Sequence, residues 1–251
     1  MGNNVLTQTA AEEWVAGRIL YIDKPYRWTS FDVVNKVRWL LCKRLGTKKL
    51  KVGHAGTLDP LATGVVTICT GKATKRIDEL QAYTKEYVAT LQLGATTPSY
   101  DLETGFDATF PTGHITKQLT EEILQKFKGR IEQVPPAFSA CKVDGHRAYN
   151  LARRGKEVQL KAKTLIIDEI ELQNFDAAAM QMTIRVVCSK GTYIRALARD
   201  IGETLQSGAH LIALRRTQVG DIRVEDCMKM EDFPEWLEKQ EIETETESDN
   251  D

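Results

Sequence analysis

Apolar and polar positions along the chain alternate between two periods. Residues 18–22 (Arg-Ile-Leu-Tyr-Ile) read as a strand that Asp23-Lys24-Pro25 stops. Helical spacing follows: Phe31, Val34, Val37, Leu41 and Leu45 form one apolar face, Ser30 fits the N-cap, Asp32 sits in the first turn, and Gly46 closes the helix. Residues 64–69 are an apolar run of strand length. From Tyr87 to Leu93 strict alternation, ending at Gly94, predicts a half-buried strand. Thr120 is expected to cap a helix through Lys128, with Glu121 and Glu122 at its positive end and Gly129 after it. Strands are predicted near 164–173 and 181–188, then a helix at about 193–206 with Ile194, Leu197, Ala198, Ile201 and Leu205 turned inward. Strands and helices mixed without regular βαβ spacing favour an α+β fold over a doubly wound sheet.

Composition narrows the class. The 251 residues are 42% hydrophobic and 27% charged, ordinary for a globular protein with a sizeable core. The apolar runs are too short to span a bilayer, and the N-terminus lacks a basic start followed by an apolar stretch, so no membrane association and a cytoplasmic location are expected. Five scattered cysteines without a C-x-x-C pair read as small core residues rather than a disulfide framework or a zinc site. The four histidines show no ligand spacing, so a metal site is not indicated. The net charge of −1 conceals a division: residues 231–251 carry ten acids and one base, which leaves +8 on residues 1–230. A basic body with an acidic tail keeps phosphate binding open. The tail, 238–251, lacks aromatic residues and is expected to be disordered.

Candidate chemistry gathers in a few segments. In GHAGTLDPLATG (53–64), three glycines and a proline within 12 residues impose a tight irregular backbone between regular elements, the setting in which functional side chains are often presented. Asp-Pro is also a common turn opener, so the residues alone leave Asp59 as either a turn cap or a reactive carboxylate. Tyr87 opens its strand and could stack on a base. Arg195 falls in a first helical turn, the unfavourable end of the dipole for a cation, which a partner anion would explain. Residues 133–155 form a Pro-stiffened loop leading to a basic, aromatic-bearing helix suited to a nucleic-acid backbone.

Together these segments resemble the TruB family of tRNA pseudouridine synthases. The matching stretches are Asp23-Lys24-Pro25 with Thr29-Ser30, GHAGTLDPLATG, Gly71-Lys72-Ala73-Thr74-Lys75, Lys85-Glu86-Tyr87 with Leu91-Gln92-Leu93-Gly94, residues 133–155, CSKGTYIRALARDIG (188–202) and LRRTQVG (214–220). They occur in the family's order and cover roughly residues 17–233. The resemblance implies a largely antiparallel pseudouridine-synthase sheet flanked by helices, with an RNA-binding thumb inserted at 133–155. It divides the chain into an N-terminal extension (1–17), a catalytic domain (18–237) and the acidic tail. The implied reaction isomerises U55 in the tRNA T-arm by base flipping, without cofactor, metal or guide RNA, in an enzyme expected to be monomeric.

Residue by residue, the resemblance makes Asp59 the catalytic aspartate, His54 the side chain that fills the space left by the flipped nucleotide, Tyr87 the ring against the target base and Arg195 the cation paired with the aspartate. Tyr193, Lys75 and Asp101 fall at supporting or RNA-contacting positions. The chemistry is consistent with this, since burial disfavours a charged carboxylate and a nearby guanidinium restores it. The chain departs from the pattern in two places. Tyr26-Arg27-Trp28 stands where the family usually carries a glycine before Thr-Ser, and too few residues follow LRRTQVG for a complete PUA domain. An RNA-binding or tRNA-folding factor that chiefly remodels the T-arm, with modification secondary, is a competing reading. The guide-RNA-dependent branch fits less well, since it lacks the long insert and normally carries the PUA domain.

Overall fold

A computed structural model describes residues 10–139, 142–143, 146–147 and 160–240. The basic helix expected around 149–155, the tail from 241 and the first nine residues of the N-terminal extension lie outside them. The chain divides into two compact units, one formed by residues up to Ala82 together with those from Ile222 onward, the other by Tyr83–Asp221.

The first unit is built on three antiparallel strands, β1 (Ile19–Lys24), β2 (Val52–His54) and β3 (Ala62–Thr70), with β1 and β2 both paired to β3. A short strand, Met228–Lys229, adds to β1 in parallel. The apolar run predicted at 64–69 is the buried middle of β3. Helix α1 (Ala10–Ala16) lies within the expected N-terminal extension, yet its Trp14 is buried and meets Trp236 edge-on at 6.2 Å.

Helix α2 (Ser30–Arg44) begins one residue earlier than its expected cap allows. Thr29, not Ser30, is the N-cap: its hydroxyl accepts from the Asp32 amide at 3.0 Å while the Asp32 carboxylate accepts from the Thr29 amide at 2.8 Å. The Thr29 hydroxyl also donates to the Asp32 carboxylate at 2.7 Å, and this bond, with the one from the Thr29 amide, holds the Asp32 carboxyl below its ordinary range. The buried face comprises Ser30, Val33, Val34, Val37 and Leu41, which swings Phe31 out to 59% exposure instead of inward. Gly46, at φ 61°, closes the helix as expected, and the Thr47 amide donates back to Cys42 O at 3.1 Å.

In the second unit five antiparallel strands run in the order Ala209–Val219, β4 (Lys85–Leu93), Gln181–Cys188, Lys163–Asp176 and Gly129–Gln133. The alternation foreseen for β4 holds over its whole length. Helix Ile194–Thr204 packs on β4 and on Ala209–Val219, burying all five residues predicted to face inward. The other helix starts earlier than expected. It spans Lys117–Gln125, and Thr116 caps it by accepting from the Leu119 amide at 3.1 Å, while Thr120 is buried inside it.

The fold is thus α+β, with mostly antiparallel strands and packed helices. Cys69 and Cys188 are core residues as expected, whereas Cys42 and Cys227 are only half-buried, and Cys141 lies outside the described residues. Among the described residues no helix is long and apolar enough to cross a membrane.

Candidate active site

The first unit carries Asp59, His54 and Lys75. His54 ends β2 opposite Ile68 of β3, and Asp59 sits half-buried in the loop that returns to β3. Lys75 is exposed in the short 3-10 helix Gly71–Arg76.

Although the loop is irregular, its peptide groups are held one after another. The Ser30 hydroxyl accepts from the Leu58 amide at 2.9 Å and donates to Leu58 O at 3.1 Å. Asp59 O accepts from the Ala62 amide at 3.1 Å, and Pro60 O accepts from the Arg27 amide at 2.8 Å. Lys24 is completely buried, and its ammonium donates to Trp28 O at 2.6 Å, Pro25 O at 3.0 Å and Pro60 O at 3.4 Å. A buried ammonium is costly unless its donors are satisfied, so Lys24 ties the turn after β1 to the Asp59 loop. Lys24 was legible only as part of a strand stop. The strand instead runs through Lys24, which aligns with Gly64 of β3.

The departure at Tyr26-Arg27-Trp28 is absorbed locally. Arg27 takes φ 66°, the left-handed conformation a glycine would adopt freely, and in that pose its amide reaches Pro60.

The second unit carries Tyr87, Asp101, Tyr193 and Arg195. Arg195 lies in the first turn of its helix but is 5% exposed, buried rather than solvated. Its guanidinium donates to Phe138 O at 2.9 Å and Ser99 O at 3.1 Å, and its Nε lies 3.7 Å from the Asp101 carboxylate. Asp101 also accepts from the Glu103 amide at 2.9 Å. The loop that presents it is pinned by Thr97, whose hydroxyl donates to Asp101 O at 2.7 Å, while Tyr100 sits at φ 61°. The structure therefore brings Arg195 and Asp101 together.

Tyr193 precedes the helix as its N-cap without a side-chain cap of its own. Buried Gln133 bonds both of its main-chain groups instead. The Gln133 amide oxygen accepts from the Tyr193 amide at 2.9 Å, and its NH2 group donates to Tyr193 O at 3.2 Å. Glutamine is not a capping signal in sequence, so this role was not foreseen.

Tyr87 is 8% exposed on the buried face of β4, in register with Val186 and Arg216 on its two neighbours. The ring that could stack on a base is therefore largely enclosed. Two residues before it on the same face, burial pushes the Lys85 ammonium down to about 8, with repulsion from Arg216 adding to the shift. Among the described residues no group of three or more His, Cys, Asp and Glu side chains could hold a metal ion.

Two family models match the chain in succession. The TruB family pseudouridylate synthase N-terminal domain covers residues 43–194, and the tRNA pseudouridylate synthase B C-terminal domain covers 195–248. The class they describe is that of the pseudouridylate synthases. Curated relatives named tRNA pseudouridine synthase B are 71% identical in Phocaeicola vulgatus, over 90% of this chain and 96% of the relative, and 69% identical in Bacteroides thetaiotaomicron, over 90% and 95%. The chain belongs to the TruB family. Among solved structures it resembles a chain of a Cbf5-Nop10-Gar1 complex, with a TM-score of 0.67 and 28% identity over 90% of this chain and 56% of that one. A chain of an H/ACA RNP bound to a substrate RNA gives 0.63 and 27%, over 90% and 55%.

Proposed function

We propose that the protein isomerises uridine to pseudouridine at position 55 in the T-arm of tRNA, with Asp59 as the catalytic carboxylate. The observation that carries this reading is the loop Leu58–Pro60, in which three successive residues have main-chain groups fixed by Ser30, Ala62, Arg27 and Lys24. An aspartate presented on so constrained a backbone is preorganised for a reaction that tolerates little misplacement.

The uridine must leave its stack to be reached, at a cost of a few kcal/mol, and His54 at the end of β2 occupies the vacated space. The bond from C1′ to N1 breaks, the base turns, and a bond from C1′ to C5 forms. The C5 proton leaves and N1 takes up a proton, so the reaction is an isomerisation that consumes no co-substrate. Asp59 serves as nucleophile or base, Tyr87 forms a wall of the base pocket, and Arg195, held by Asp101, supplies the pairing cation. Tyr193 and Lys75 support the RNA. Residues 18–237 act as the catalytic domain with the 133–155 insert as an RNA-binding thumb, in a cytoplasmic monomer that uses no guide RNA. The contrast between 71% identity to a curated tRNA pseudouridine synthase B and 28% to the Cbf5 chain supports the stand-alone reading.

Tritium release from tRNA transcripts labelled at uridine C5 tests the assignment. Release of one equivalent from the wild-type transcript, abolished when U55 is replaced by cytidine, is expected. Release that is absent, or indifferent to that replacement, defeats it.

A further inference from the structure

Between Val33 and Leu58 the sequence contains seven lysines and arginines and no acid. All of that charge lies on α2 and the segment leading to β2. On α2, Lys36, Trp39 and Lys43 form a stripe on the side opposite Val33, Val37 and Leu41. Trp39 is 56% exposed, and the ammonium groups of Lys36 and Lys43 lie 5.2 and 5.4 Å from its ring centroid. Lys48, Lys49 and Lys51 follow, all exposed. Among the described residues none of these five lysines forms an ion pair. Asp32, the one acid on α2, is engaged in the capping box. Arg38 is turned aside, donating to Asn35 Oδ1 at 3.1 Å and Val52 O at 3.0 Å.

A solvated helix face normally mixes both signs of charge, and an exposed indole gains nothing from water. An aromatic ring between two unpaired ammonium groups, continued by a run of lysines, matches an RNA strand instead. The ring stacks on a base and the flanking cations meet phosphates on either side.

We propose that this face of α2 is a second RNA-contacting surface, which holds the phosphate backbone of the substrate tRNA outside the nucleotides that enter the Asp59 loop, with one unpaired base on Trp39. The inference rests on the reading that tRNA is the substrate. Its position follows from the helix: Ser30 grips Leu58 at one end, and at the rise of an α-helix Lys36 and Lys43 lie roughly 9 and roughly 20 Å further along the axis. An RNA seated at Asp59 can therefore extend over the stripe.

The test compares the full-length wild-type protein with Lys36→Gln/Lys43→Gln, with Trp39→Ala, and with a charge-matched control, Lys117→Gln/Lys126→Gln. Each is assayed on whole tRNA and on an isolated T-arm stem-loop. The double lysine variant should raise KM for whole tRNA about tenfold at unchanged kcat and reduce the salt slope of binding by about 2. Trp39→Ala should raise KM about tenfold with the slope unchanged. Kinetics on the stem-loop and in the control should stay close to wild type. Unchanged KM and slope on whole tRNA overturn the inference, as does an equal shift in the control or on the stem-loop. Failure of the wild-type protein to bind tRNA at all defeats the functional reading itself.

Discussion

Around Asp59 the chain is irregular, and its peptide groups are held from outside by a hydroxyl, an ammonium and two amides. Around Arg195 the chain is a regular helix, and the guanidinium itself is fastened, by two carbonyls and a carboxylate. A side chain on a loop inherits its position from whatever bonds to the neighbouring backbone. A side chain on a helix has a fixed origin and needs only its far end secured. The residues that position Asp59 are therefore separate from Asp59 and open to substitution one at a time. Arg195 cannot be separated from its own anchors.

The largest separation between the regions is expected from Lys24→Met. It removes the donor shared by Trp28, Pro25 and Pro60 without touching substrate, so kcat should fall about 100-fold with KM for tRNA nearly unchanged. Single-turnover kinetics would show this, and a KM effect alone would mean that Lys24 is not a positioning residue.

Arg195→Met should instead act on the fold as well as on turnover. It leaves Asp101 buried without that guanidinium and should cost about 3 kcal/mol in urea denaturation. Unchanged stability would show that Arg195 is no anchor of its unit.

A smaller effect is expected at the start of α2. Thr29→Ala should cost about 1 kcal/mol through loss of the cap. Because the folded state depresses the Asp32 carboxyl, this contribution is complete above the unfolded carboxyl's value and fades as pH falls through the lower folded one. Denaturation of both proteins from neutral pH downward should show their difference narrowing only in that acid range.

The weakest contrast is among the thiols. Burial pushes Cys188 up to about 11 and raises Cys69 as well, so both should resist alkylation at neutral pH while half-buried Cys42 and Cys227 react first. Mass mapping of partially labelled protein orders them.

What could be read in the sequence divides along the same physical line. β4 and the Ile194–Thr204 helix were legible because one face of each is buried, and burial writes its period into the residues. Caps were less legible. Thr116 and Thr120 are both plausible, and Thr29 and Ser30 are adjacent, so the choice depends on partners distant in sequence, such as Leu58 for Ser30. The candidate site residues came from motif resemblance rather than periodicity. Their supports, Lys24 and Gln133, were missed because a strand-stopping Lys-Pro and a lone glutamine carry no local sign of the carbonyls and amides they bond. Strand order was not legible, since pairing of β4 with Gln181–Cys188 and Ala209–Val219 joins segments about a hundred residues apart.

The central claim is that Asp59 performs the chemistry. Pseudouridine mapping by carbodiimide treatment and mass spectrometry, on tRNA incubated with wild-type protein or with Asp59→Asn, tests it most directly. The expected result is a single new pseudouridine at U55 with the wild type and none with Asp59→Asn, even though that variant still binds the tRNA. Pseudouridine formed at U55 by Asp59→Asn at a rate near that of the wild type would contradict it.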